Sequence, residues 1–479
     1  MATYPELNLL IDGTWRKGSD GVSEPVLNPA TEEPLGEVPH ASAADLDEAL
    51  SAAESGFAVW RSTPPHERAR TICAAAALVR ERLEEIAAAL TLENGKPIAE
   101  ARKEVDGSAD ILEFAGEQAK RVFGDIVPGR VPGVRHLVQK EPVGITLSFT
   151  PWNFPINTFA RKIGPALAAG CSVIAKAAEE TPASAAALAK ALDDAGLPAG
   201  VLNLVFGVPA EVSSHLMASP AVRKISFTGS VPVGKHLAGL AAQRMQRTTM
   251  ELGGHSPVVV FDDVDIAKAA DLLVAGKYRN AGQVCISPTR FYVQERIYED
   301  FVGAFVERAR KIVVGDGLDP ATQMGPLAND RRLDAMAGFV DDAASRGATI
   351  AAGGGRIGNH GYFFAPTVIK DAPDDCRVMT EEPFGPLAPM TRFSGIDEVA
   401  GRANALQVGL AAYAVTRSLD RAIRISDALD AGMVGINTVA VASPEAPFSG
   451  VKESGYGIEG GPDSLEPFLA TKAVAQTNL

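Results

Sequence analysis

Lys224-Ile225-Ser226-Phe227-Thr228-Gly229-Ser230-Val231-Pro232-Val233-Gly234 passes from an apolar run through a glycine into a helix-forming run, and its reading decides the fold. Residues 224–228 read as a buried strand and 233–245 as the helix that follows. Backbone N–H groups at the positive end of that helix suit a pyrophosphate, and Gly229 and Gly234 permit close approach. The Gly-x-Gly-x-x-Gly fingerprint is absent from the first strand-to-helix turn. Taken alone, the segment is therefore either a phosphate cradle or a tight turn.

The same alternation extends outward. Apolar runs at 143–150, 171–175, 201–206 and 257–261 read as buried strands, and 183–195 as a helix between two of them. Strands separated by helices imply a parallel sheet covered on both faces. Upstream, 45–92 is an amphipathic helical region interrupted at Pro64-Pro65. Residues 124–133, rich in Gly and Pro, exclude a regular element and mark a crossing between units, with a strand at 134–139 after them. A second set of elements occupies 255–435, including strands at 289–294 and 411–416 and a helix at 298–311.

The chain's 479 residues exceed one compact core, so two or three domains are expected. A net charge of -14 argues against a nucleic-acid partner, and any selectivity for anions must come from local cations. The four cysteines (73, 171, 285, 376) are far apart and form no Cys-x-x-Cys pair, which points to a reducing compartment and away from zinc. The first residues show neither a basic region nor a long apolar run, so no membrane segment and a cytoplasmic location are expected.

Chemistry concentrates around Cys285, in Asn280-Ala281-Gly282-Gln283-Val284-Cys285-Ile286-Ser287-Pro288-Thr289-Arg290. Gly282 and Gln283 put this cysteine on a loop, whereas the other three read as buried hydrophobes. The seven histidines (40, 66, 136, 215, 236, 255, 360) form no catalytic or metal spacing, so neither a Cys/His hydrolase nor a metal site is the first reading. What remains is a thiol, the carboxylate of Glu251-Leu252-Gly253-Gly254, and the amide of Pro151-Trp152-Asn153-Phe154-Pro155. That set can add a thiolate to an aldehyde, remove hydride and let water release an acid.

These blocks occur in order with Lys176 and Glu179, Phe227-Thr228-Gly229-Ser230, Glu382-Pro383-Phe384-Gly385-Pro386 and Pro447-Phe448-Ser449-Gly450-Val451-Lys452-Glu453-Ser454-Gly455. Over nearly the whole chain they resemble the NAD(P)-dependent aldehyde dehydrogenase superfamily. The resemblance implies an α/β fold with a Rossmann-type cofactor-binding domain (1–123 and 142–253), an α/β catalytic domain (254–445) and a small β oligomerisation arm (124–141 and 465–479). The arm, with its C-terminal strand at 469–478, would pair with another subunit in a homodimer or homotetramer. The resemblance assigns Cys285 as nucleophile, Glu251 as the base for hydrolysis and Asn153 as an oxyanion donor beside the Cys285 backbone N–H. Lys162 and Glu459 would relay the proton or support the cofactor. Because relatives that transfer the acyl group to coenzyme A generally lack the carboxylate, Glu251 favours a free acid.

The implied cofactor is NAD or NADP. Gly229, Ser230 and Gly234 would cradle it, Glu382 and Phe384 would position the nicotinamide ribose and ring, and Trp152 would lie near the adenine side. Lys176 and Glu179 fall at the adenosine ribose, where the carboxylate favours NAD and the ammonium a 2′-phosphate; both groups are present. Ala177 replaces the family's usual proline.

Arg161 and Arg279 match the carboxylate-binding arginines of succinate-semialdehyde dehydrogenases, and an arginine fork suits a carboxylate. Ser443 would complete the clamp, or Ala442 would stand there if the register shifts by one. His255 and the runs at 282–291 and 454–462 resemble alpha-ketoglutaric semialdehyde dehydrogenases. Ser287 occupies the place of a second cysteine in some relatives, which removes a local disulfide switch. The expected activity is oxidation of succinate semialdehyde or alpha-ketoglutaric semialdehyde to the diacid through a thiohemiacetal and a thioester. Two alternatives stand beside it: a broad dehydrogenase of neutral or aromatic aldehydes, favoured if both arginines point to solvent, and a non-catalytic nucleotide-binding relative.

Overall fold

The structure, a computed structural model, describes residues 4–477. The segment at 224–234 lies in an eight-stranded sheet of order Thr14–Arg16, Leu9–Ile11, Leu202–Val205, Ser172–Lys176, Ile145–Phe149, Val222–Gly229, Arg247–Leu252 and Gly455–Tyr456. The five inner strands are parallel and the outer ones antiparallel. Winding reverses between Ile145–Phe149 and Val222–Gly229, which opens a crevice at their carboxyl ends. Chain order then delivers Pro151 to Asn153, Gly229 to Ser230 and Glu251 to one rim.

A second sheet has the order Thr349–Ala352, Thr367–Lys370, Leu387–Phe393, Arg290–Gln294, Pro257–Val260, Ala411–Val415 and Met433–Ile436, parallel except at its first strand. Each large sheet has its own apolar cluster, one drawn from residues 7–252 and 465–469, the other from 258–433. The α/β expectation holds, with strand limits displaced by up to three residues. The helix expected at 233–245 is Val231–Ala242, because Pro232 is tolerated in a first turn that needs no N–H.

Two expectations need correction. Residues 124–133 were expected to hold no regular element, yet Asp125–Pro128 is a strand. It is an exposed edge, pairing only with Val134–Pro142 in a three-stranded antiparallel sheet completed by Leu469–Thr477. Proline is tolerated at such an edge. The two strands assigned to the arm thus pair with each other inside the chain; Asn478 and Leu479, also assigned to it, lie outside the described residues, as do residues 1–3. The helix Ile98–Ala119 was not anticipated, because its charged face hides a buried stripe at Ala101, Val105, Ala109, Leu112 and Ala115.

That stripe covers the helix Pro155–Ala169, which places two functional candidates. Pro155 opens it, Gly170 closes it in the left-handed conformation (φ 99°), and nearly every residue between is buried. Gly164 allows the close crossing: a Cβ there would stand 3.2 Å from the Ala115 methyl.

Candidate active site

Between the two large sheets lies a cavity of about 960 Å³. It gathers Cys285, Glu251, Asn153, Arg161, Arg279, Ser443, Trp152, Gly229, Ser230, Glu382 and Phe384, with Ala442 beside Ser443. Four expected residues lie off its wall: Lys162, Lys176, Glu179 and Gly234.

The Cys285 loop is built from strained backbone. Asn280 (φ 46°), Ala281 (φ 53°) and Gly282 (φ 73°) are successive left-handed residues, two of them bearing side chains. Hydrogen bonds hold them there. Glu100 Oε2 accepts from the Asn280 N–H (2.9 Å), Gln283 Oε1 accepts from the Ala328 N–H (2.9 Å), and Asn280 Nδ2 donates to the Asn153 carbonyl (3.0 Å). Gly282 cannot carry a side chain, since a Cβ would lie 2.1 Å from the Gly385 carbonyl oxygen, where the loop meets the Glu382–Phe384 turn.

Asn153 donates one amide N–H to the Gln283 carbonyl (3.1 Å), and the amide has a second. Its own carbonyl also accepts from Lys96 Nζ (2.8 Å), a fully buried ammonium paired with Glu104 at 2.5 Å. Lys96, Glu100 and Glu104 are parts of the site that sequence reasoning missed. Nothing at those positions distinguishes them from solvated charges until the helix Ile98–Ala119 is seen to be buried on one face.

Glu251, near the end of Arg247–Leu252, is 2% exposed, and neither carboxylate oxygen has a hydrogen-bond partner. Burial, reinforced by the charge of Glu459, holds its pKa well above the usual carboxylate range, against Lys162 and Arg161. Lys162 Nζ pairs with Glu459 Oε1 at 2.5 Å and donates weakly to Ser226 Oγ (3.4 Å). Burial also pushes the Cys285 thiol up to about 12, with Glu382 and Glu251 adding to the shift and Arg279 opposing it.

Arg161 is buried; its Nε donates to Asn157 Oδ1 (3.2 Å), while Nη1 has no partner. Arg279 is more exposed but lines the same cavity. Among the described residues neither arginine has a carboxylate at ion-pair distance.

A dinucleotide suits the remaining wall. Ser230 precedes the helix Val231–Ala242 without a side-chain cap, and the buried Thr228 Oγ1 beside it lacks a partner. Gly234 lies off the cavity wall, and a Cβ there would lie 2.4 Å from Leu252, so its bareness lets the helix settle on the sheet. Lys176 and Glu179 form an ion pair, and Glu179 also accepts from the Gly207 N–H (3.2 Å). Trp152 was expected on the adenine side, yet its ring meets Phe384 edge-on at 5.6 Å, beside the turn assigned to the nicotinamide. His255 is a buried core histidine bonded to Thr289 (2.8 Å), held well below its usual pKa by burial and by Arg290 and Lys277. Among the described residues no cluster of His, Cys, Asp and Glu could hold a metal, and no helix is long and apolar enough to cross a membrane.

A doubly wound sheet thus has its switch point open onto a cavity that gathers a cysteine, a carboxylate and an amide, an arrangement that suits a nucleotide-dependent oxidoreductase. The sequence profile of the aldehyde dehydrogenase family matches residues 15–474. The chain is 49% identical over 464 residues to the 4-(hydroxymethyl)benzenesulfonate dehydrogenase of Comamonas testosteroni (97% of each chain). It is 41% identical over 463 residues to the NADP(+) succinate-semialdehyde dehydrogenase of Escherichia coli K12 (97% of this chain, 96% of the relative). The crystal structure of succinate-semialdehyde dehydrogenase from Burkholderia pseudomallei superposes with a TM-score of 0.97 at 40% identity, covering 99% of this chain and 98% of the other. The protein belongs to the aldehyde dehydrogenase family, and is an oxidoreductase that uses NAD or NADP.

Proposed function

We propose that the enzyme oxidises an aldehyde carrying an anionic head group, with succinate semialdehyde and alpha-ketoglutaric semialdehyde as the leading substrates and the diacid as product. The observation that carries this reading is Arg161: a buried guanidinium with an unpartnered Nη1, in the cavity of Cys285. An unpaired buried cation is costly, and an anionic ligand relieves that cost. Arg279 supplies a second fork and Ser443 a hydroxyl. Neither arginine is lost to a surface ion pair, which disfavours the broad-specificity alternative. The intact thiol, carboxylate and amide disfavour a non-catalytic relative.

When bound, the oxidised nicotinamide supplies a hydride acceptor and a positive charge. In our reading Cys285 adds to the aldehyde carbon once its thiol has lost its proton, with Arg279 opposing the acidic neighbours. The oxyanion of the thiohemiacetal takes hydrogen bonds from the Asn153 amide and the Cys285 N–H, each worth roughly 3 to 4 kcal/mol in the barrier. Loss of hydride leaves the thioester. Glu251 then accepts a proton from the attacking water, and the acyl carbon releases the Cys285 thiolate and the acid. Glu382 and Phe384 orient the nicotinamide end, and Gly229 and Ser230 hold the phosphates. Glu179 and its neighbour Glu180 favour NAD, because Lys176 is already neutralised and a 2′-phosphate would meet two carboxylates.

The two apolar clusters support a domain division at 253/254, and the exposed strand Asp125–Pro128 supports a role for the small sheet in a homodimer or homotetramer. We assign the enzyme to the cytoplasm from its cysteine usage. A sulfonate head group is a second reading, favoured by the name of the 49% identical relative; two arginine forks bind either oxyanion.

The test is steady-state oxidation of succinate semialdehyde, alpha-ketoglutaric semialdehyde and butanal with NAD and with NADP, repeated with Arg279→Ala. Acids should exceed butanal in kcat/KM by a hundredfold or more, on the order of 3 kcal/mol. Arg279→Ala should erase most of that margin, and NAD should give the larger value. Equal oxidation of butanal would sink the anionic-substrate reading.

A further inference from the structure

Each of the two arginines rests on an aromatic face. Arg161 Cζ lies 5.2 Å from the centroid of Phe448, and Arg279 Cζ lies 5.3 Å from that of Phe154. Both rings line the cavity that holds Cys285. A guanidinium over a ring is held through its flat face, which leaves its N–H edge and full charge available. A carboxylate partner would instead occupy that edge and cancel the charge. An unsupported arginine at a cavity wall would have to lose rotamer freedom when a ligand bound. The ring restricts that freedom beforehand.

We propose that Phe154 and Phe448 are specificity-determining positioning residues that seat Arg279 and Arg161 without a carboxylate partner, leaving Arg161 Nη1 unpartnered, so that the cavity selects aldehydes with an oxyanion head group. This rests on the anionic-substrate reading above and adds to it the groups that make the arginines selective. The Phe154 seat is itself fixed. Lys96 Nζ stands 4.0 Å from the same centroid and donates to the Asn153 carbonyl at 2.8 Å. Phe154 follows Asn153 in the chain, so one buried ammonium registers the oxyanion donor and the seat of Arg279 together.

The experiment measures kcat and KM for succinate semialdehyde and for butanal in the wild type, Phe154→Leu, Phe448→Leu and Phe154→Tyr. Leucine keeps apolar volume but removes the π face; tyrosine keeps the face. Each leucine variant should lower the ratio of kcat/KM for the acid to that for butanal by about fivefold to tenfold, mainly by raising KM for the acid. Phe154→Tyr should retain the wild-type ratio. A wild type without preference for the acid overturns the underlying reading and this proposal with it. A wild type with that preference, whose leucine variants keep the same ratio, overturns the seating alone. So does equal loss of the ratio in Phe154→Tyr and Phe154→Leu.

Discussion

Glu251 and Cys285 face one cavity from opposite sheets and are held by opposite means. Glu251 sits near the end of a regular strand, paired in register with Thr228 on one side and Gly455 on the other, while its carboxylate makes no hydrogen bond. Cys285 sits on an irregular loop of left-handed residues tied down by Glu100, Gln283 and Asn280. The backbone fixes where Glu251 is and leaves its carboxylate free to trade a proton. Side-chain hydrogen bonds fix the loop that carries the sulfur, which suits the nucleophile's part proposed for Cys285, since misplacing a reacting atom is costly. The comparison separates a group that must move charge from a group that must keep still.

The sharpest way to break it is Glu251→Gln. The amide fills the same space but cannot take a proton from water, so steady-state oxidation should fall by about 10² to 10⁴. If Glu251 serves hydrolysis and not attack, rapid mixing should still show a burst of reduced cofactor equal to one equivalent per active site, followed by slow turnover. A variant with no burst would mean that the carboxylate also takes the proton of Cys285, and the division of labour would be wrong.

Gly282→Ala tests the other half. The methyl group meets the Gly385 carbonyl, at a residue whose φ of 73° already suits glycine. Displacing the loop by about 1 Å would cost on the order of a hundredfold in kcat/KM, with no burst, since attack itself is impaired. Full activity in a variant that melts as the wild type does would show that the loop is less exacting than its hydrogen bonds imply.

The same contrast governs what could be read from residue order. The strand Val222–Gly229 and the helix Val231–Ala242 were legible because an apolar run, a glycine and a helix start are local signals, and Glu251 because its motif resembles the family's. Cys285 was legible as a loop cysteine, but the left-handed pair Asn280 and Ala281 was not, since neither residue type announces a positive φ. Lys96 and Glu104 look like solvated charges in a run that contains many. Only tertiary packing buries them at 0% and 1% side-chain exposure and turns them toward Asn153. Likewise the pairing of Arg161 with Phe448, far away in sequence, depends on the whole fold. The packing of Gly234 against Leu252 and the contact of Trp152 with Phe384 also depend on tertiary structure that no local signal announces.

The smallest effect concerns the charge environment of Glu251 and is best seen as a pH shift. Lys162 opposes the rise in the Glu251 pKa, while burial and Glu459 promote it. Lys162→Met removes the positive charge and leaves Glu459 without its partner, so protonated Glu251 becomes more favoured. The base must be deprotonated to act, so the acid limb of kcat should move to higher pH, by about one unit for loss of one nearby charge. Glu459→Gln should move it the other way, because the repelling carboxylate goes and the ammonium stays. Opposite displacements in a pH profile of thioester hydrolysis would assign both residues to the electrostatics of one carboxylate. Displacements of the same sign would mean that the pair acts through packing, and that Glu251 takes its raised pKa from burial alone.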